Sequence, residues 1–140
     1  MRHTTTLLLT ALLLAGATAG CSSEKSQDEI AADCAAALTE QTGGEPGYKP
    51  TVAEAEEQVD ALDDTLADMV RSGYEGVAKD AFDATETKTK EGAKDRPEAC
   101  EPLSEDDYTT LLTAKALDGL GWTDEDGRFD KLKMAQSLGD

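Results

Sequence analysis

The chain has 140 residues, with 30 Asp and Glu against 13 Lys and Arg, for a formal net charge of −17. That balance excludes nucleic acid as a partner, because such binding needs basic patches that release counterions, and it opposes lying flat on an anionic lipid surface or holding anionic wall polymers. With one Trp, three Tyr and two Phe, the core falls to Leu, Val and Ala.

Arg2 and His3 open a short polar head, and Leu7 to Ala17 form an apolar run of Leu, Ala, Thr and Gly. A basic start, an apolar run of about 7–15 residues and a small-residue exit make a secretory signal. The run is too short to span a bilayer, which needs about 20 apolar residues. Thr18, Ala19, Gly20 and Cys21 follow, and the segment resembles a bacterial lipoprotein signal peptide ending in a lipobox. Ala19, Gly20 and Cys21 match that motif. Thr18 departs from it, since an aliphatic residue usually stands there. The resemblance covers residues 1–21 and implies removal of 1–20, a diacylglyceryl group on the Cys21 thiol, and anchoring at the extracytoplasmic face of the cell membrane without a transmembrane helix. Two or more acyl chains anchor stably where one does not. Cleavage by the general signal peptidase is the competing outcome, and Ala17 and Ala19 would suit it.

Residues 21–25 then read as lipidated cysteine and tether, and 26–140 as a single small domain. With Cys21 carrying lipid, Cys34 and Cys100 remain as one pair in a compartment that permits disulfides. The alternatives are free buried thiols or a redox pair, and the Cys-x-x-Cys spacing usual for the latter is absent.

Ser26 followed by Glu29 predicts a capping box, with Ile30, Cys34, Ala37 and Leu38 on one face of the helix it opens. Gly43 and Gly44 stop that helix, and Glu45 to Pro50 reads as a turn-rich loop. Thr51 and Glu54 form a second capping box. Val52, Val59 and Leu66 repeat every seven residues, as do Ala55, Leu62 and Met69. This narrow seam suits intramolecular helix packing, with a dimeric coiled coil as the alternative. Gly73 terminates the helix.

Tyr74, Val77, Ala78, Ala81 and Phe82 predict a shorter third helix, weakened by Gly76. Residues 83–98 stay open among exposed strand, helix extension and loop, because Thr85, Thr87 and Thr89 alternate with charge. Ser104 with Asp107 caps a fourth helix bearing Tyr108, Leu111, Leu112 and Leu117, ended by Gly119 and Leu120. A fifth is expected to start at Thr123 and to carry Phe129, Leu132, Ala135 and Leu138. Trp122 plugs the junction of the last two, with ligand stacking as the alternative. The expected fold class is all-α, a small bundle of four or five short helices pinned by one disulfide.

Chemistry is sparse. The single histidine, His3, lies in the leader, so Ser-His-Asp and Cys-His catalysis and histidine metal sites are excluded for the mature chain. No phosphate-cradling or dinucleotide glycine motif occurs. Paired carboxylates could cleave glycosides, yet they lack the aromatic sugar platforms that accompany such clefts. The reading is a non-catalytic protein without cofactor.

Two acidic clusters stand out. Glu54, Glu56, Glu57, Asp60, Asp63, Asp64 and Asp68 share the second helix with one base, Arg71. They are either a solvated face or a docking face for a basic protein partner, with Glu56, Asp60, Asp63, Asp64 and Asp68 as the candidate residues. Asp124, Glu125, Asp126, Gly127 and Asp130 faintly resemble a calcium loop. Placing Gly127 at the sixth position puts Trp122 first and Lys133 twelfth, where Asp and Glu are required. The expected function is a membrane-anchored interaction or accessory protein, with a cation- or small-solute-binding lipoprotein as the alternative.

Overall fold

The structure, a computed structural model, describes residues 24–139. The leader and Cys21 lie outside them. Five α-helices and one 3-10 turn make up the described chain, and no β-strand occurs among these residues, so the all-α expectation holds.

Helix α1 spans Gln27–Thr42. The Ser26 hydroxyl accepts from the Glu29 amide, and the Glu29 carboxylate accepts from the Ser26 amide, so two otherwise orphaned donors are satisfied reciprocally. Ala31, Cys34, Ala35, Leu38 and Thr42 are buried, while Ile30 and Ala37 sit at the margins of that stripe. The Thr42 hydroxyl donates back to the Leu38 carbonyl at 3.0 Å, so it enters the core satisfied. Gly43 takes a left-handed φ of 74° and closes the helix.

Helix α2, Val52–Arg71, carries the second capping box at Thr51 and Glu54. Ala55 and Leu62 are buried, and Val52, Leu66 and Met69 pack at the edges of the two core clusters. The heptad seam therefore turns toward the chain's own core, with Val59 and Leu66 only partly covered. Gly73, at φ 86°, reverses the path into α3.

Helix α3 runs from Glu75 to Gly92 and settles the open segment: residues 83–92 are helix. The spacing of Ala78, Ala81, Thr85 and Gly92 keeps one small-residue face inward. The Thr85 hydroxyl donates to the Ala81 carbonyl at 2.9 Å, which removes the polar cost of burying it. Glu86 and Lys90 pair one turn apart on the outside. The Thr alternation that favours a strand thus loses to helical burial. Gly92 is buried, and a Cβ there would meet Leu112 at 2.7 Å. Tyr74, Val77 and Phe82 are exposed.

A 3-10 turn, Glu98–Cys100, brings Cys100 to Cys34, and the expected disulfide joins them. Closing a loop of 66 residues stabilises by about 4 kcal/mol in the chain-entropy account.

Helix α4, Glu105–Gly119, is the centre of the molecule. Its cap is Ser104, whose hydroxyl accepts from the Asp107 amide at 3.1 Å. Leu111, Leu112, Ala114, Ala116 and Leu117 are fully or nearly fully enclosed. Gly119 is required by close approach, since a Cβ would lie 2.0 Å from the Thr42 carbonyl oxygen of α1. Leu and Ala build this core; the valines reach only its edges, contrary to expectation.

The fifth helix does not start at Thr123. Residues 122–130 fold as a hairpin-like loop in which Thr123 and Phe129 form an isolated bridge. Asp130 then caps α5, Lys131–Leu138, accepting from the amides of Leu132 and Lys133. The Asp126–Gly127 pair decides this: Gly127 at φ 78° makes a turn that competes with the helix start. Trp122 is 1% exposed among Leu62, Ala81, Leu117 and Met134, and its indole N–H donates to the Ser137 hydroxyl at 2.6 Å. It plugs the α4–α5 junction.

No described helix is long and apolar enough to cross a membrane.

Candidate functional site

Helix α2 holds all the acids of the first cluster. Glu54, Glu56, Glu57, Asp60, Asp63, Asp64 and Asp68 are exposed. Asp68 pairs with Arg71 at 2.5 Å, and Glu54 serves the Thr51 cap. Among the described residues, Glu56, Glu57, Asp60, Asp63 and Asp64 make no ion pair. Like charges one turn apart destabilise a helix by roughly 0.2–0.5 kcal/mol per pair. The inward seam therefore holds α2 in place against its own outward face.

A second acidic region lies where the loop after α1 meets the loop after α4. They enclose a cleft of about 660 Å³, walled by Tyr48, Asp118, Thr123, Asp124, Asp126 and Lys133 among others. Asp118 in its wall belongs to a buried ion pair that sequence reasoning missed. Lys115 and Asp118, one turn apart on α4, are 0% and 2% exposed at their side chains and 3.1 Å apart. The Lys115 ammonium also donates to the carbonyls of Glu45 and Tyr48 and lies 5.1 Å from the Tyr48 ring centroid. Asp118 Oδ2 accepts from the Glu45 amide at 2.7 Å, and Oδ1 accepts from the Thr123 hydroxyl at 3.0 Å. Both charges are thus fully partnered, the condition under which a buried pair is tolerated. Gly44 fits only because it lacks a Cβ, which would touch the Asp118 carboxylate at 2.1 Å. The signal in the sequence was a lysine between Ala114 and Ala116 in Leu-Leu-Thr-Ala-Lys-Ala-Leu, where Thr113 is the one other polar residue.

Tyr48 also joins the two loops. Gln58 of α2 hydrogen-bonds the Tyr48 hydroxyl and the Gly127 carbonyl. Burial, reinforced by the Asp118 and Glu54 charges, pushes the phenol up beyond the ordinary tyrosine range, so Tyr48 stays neutral and acts as a wall.

The loop that resembled a calcium site is organised around itself. Asp124 Oδ1 accepts from the amides of Asp126 at 2.9 Å and Arg128 at 2.8 Å, and Arg128 pairs with Asp124 and Asp126. The Arg128 amide, more than its guanidinium, holds the Asp124 carboxyl below the usual carboxylate range. Asp130 is occupied in capping α5. Among the described residues no group of three or more His, Cys, Asp and Glu is arranged to hold a metal ion.

No family model matches the chain, and no curated protein or solved structure matches it.

Proposed function

We propose that this chain is a membrane-anchored, non-catalytic lipoprotein at the extracytoplasmic face, an interaction or accessory protein that meets a basic partner through an acidic surface. The observation that carries the reading is the outward face of α2, where Glu56, Asp60, Asp63 and Asp64 are exposed without ion-pair partners among the described residues. Asp68, on the same face, is shared with Arg71. A face that costs its own helix stability is accounted for if a cationic surface covers it in the working state. The anchor rests on the lipobox resemblance ending at Cys21.

In-cell crosslinking of a C-terminally tagged chain, followed by pull-down from membranes, tests both halves. A stoichiometric partner, lost with Asp60→Lys and Asp64→Lys together, supports the reading. Retention of the same partner by that variant overturns the acidic face. Membrane retention of Cys21→Ser overturns the lipid anchor.

The alternative, a lipoprotein that binds a cation or small solute, draws on the cleft onto which Asp124, Glu125 and Asp126 open. A melting temperature that rises with millimolar calcium and falls with chelator would favour it; identical melting in both removes calcium.

A further inference from the structure

Two exposed apolar side chains, Val70 and Phe82, line neighbouring hollows along one helix pair. Among the described residues, the large apolar side chains exposed to solvent are Val70, Tyr74, Val77, Phe82 and Leu132. All but Leu132 belong to the α2–α3 hairpin. Phe82 is 56% exposed and stands between two hollows along the α2–α3 seam. One, about 520 Å³, is lined by Leu66, Ala67, Val70 and Ala78 with Phe82. The other, about 320 Å³, runs from Phe82 to Val59, Leu62 and Thr89, and the Thr89 hydroxyl oxygen is enclosed there without a hydrogen-bond partner. From Val59 to Val70 the seam extends about three helical turns, roughly 17 Å. The first hollow is the more apolar, and an exposed apolar patch rimmed by polar residues marks an interaction site more often than a solvated one.

Charge selects the occupant. The bases along the groove are already neutralised: Arg71 by Asp68, Lys79 by Asp83 and Lys90 by Glu86. Two acids on its walls, Asp63 and Glu75, have no ion-pair partner among the described residues, and Asp60 and Asp64 lie close by on α2. A second copy of a chain carrying −17 would bring like charge to like charge across this face, and an anionic bilayer would do the same.

We infer that the α2–α3 groove is the docking site for an amphipathic helix of a partner protein, with an apolar stripe at i, i+3, i+4 and i+7 and Lys or Arg on its flanks. Helix-in-groove recognition uses this combination of apolar seam and charged rim. The inference rests on the reading of the chain as an interaction protein and names the surface and the chemistry of what it takes.

The test uses the full chain with Cys21→Ser, purified as cells make it, and three labelled 18-residue probes followed by fluorescence anisotropy in 0.15 M salt. One is a Leu/Lys amphipathic helix, one is its Leu/Glu counterpart, and one has the same lysines with Ser in place of Leu. The expected result is one saturable site for the Leu/Lys helix and none for the other two. Phe82→Ser and Val70→Ser, both at exposed positions, should each weaken binding about tenfold, while Leu132→Ser leaves it unchanged. Equal binding by wild type and Phe82→Ser, or saturation by the Lys/Ser probe, overturns the groove and leaves only adsorption to acidic surface. Sedimentation showing a dimer that Phe82→Ser dissociates overturns it in favour of a second copy. A cellular partner lost on charge reversal at Asp60 and Asp64 but kept by Phe82→Ser refutes the groove alone. Groove binding in vitro with no partner in cells refutes the accessory reading alone.

Discussion

Lys115 is the residue on which the loop after α1 depends. Its ammonium reaches two loop carbonyls and the Asp118 carboxylate with no exposure to water. Lys115→Met would leave Asp118 buried and without its counter-ion, a situation that costs about 3–5 kcal/mol. Urea unfolding of the purified chain should show that loss, and Lys115→Arg should lose stability too, since the enclosure is built around a compact ammonium. At Asp124 the effect is local and depends on pH. Its carboxyl titrates below the ordinary value of 3.8 because it accepts backbone amides. A group depressed in the folded state contributes stability above its ordinary pKa and loses it as pH falls through the folded one. Acidification should therefore begin to loosen the 122–130 loop as pH falls below that ordinary value, and the loss should be complete once pH has passed the lower folded one. Protection of the Asp126 and Arg128 amides should fall over that interval, and an NMR titration of Asp124 supplies its lower limit.

At the scale of elements, the glycines separate into those that solve a packing problem and those that do not. Gly119 admits the end of α1, whose Thr42 carbonyl would lie 2.0 Å from an added Cβ. Gly119→Ala should cost about 1–3 kcal/mol, as overpacking of a rigid contact does. Gly76 faces open space near the start of α3, so Gly76→Ala should raise stability by about 0.5–1 kcal/mol. Thermal melting of the two variants side by side gives opposite signs. The same contrast explains what the sequence made legible. The caps at Ser26, Thr51 and Ser104 and the heptads of α2 were readable because capping and periodicity are local. The Thr-rich stretch of α3 was not, because alternation and helix agree equally with Thr85, Thr87 and Thr89 until Thr85 is buried with its hydroxyl on the Ala81 carbonyl and Gly92 is set against Leu112. Thr123 looked like a cap, and the turn at Gly127 outcompeted it.

At the scale of the whole molecule, surplus negative charge opposes compactness. The outward face of α2 is its densest part, and the formal total of −17 repels across a small body. Raising salt from about 0.01 M to 0.15 M shortens the Debye length from about 30 Å to about 8 Å. The melting temperature should therefore rise by roughly 4 °C, on the order of 1 kcal/mol; an unchanged or lower value in calorimetry would mean that local ion pairs outweigh the repulsion. The candidate site was only half legible for a related reason. Exposed acids announce themselves in a sequence. Phe82 and Val70 carry no mark of exposure, since an apolar side chain on a helix is core by default. A buried lysine is equally silent, since lysine by default belongs to the surface.

The bridge between Cys34 and Cys100 encloses the whole of α2 and α3. If the chain is pulled between Glu24 and its far end, tension runs along the first turns of α1, crosses the sulfur bridge and continues into α4 and α5. Residues 35–99 hang from that line as a slack side loop and carry no load. An unbridged chain would pay out roughly 3.4 Å for each residue of that loop under tension; the bridged one cannot. In a protein held at one end and tugged at the other, α4 and α5 would unravel while the hairpin bearing Phe82 stayed unstretched.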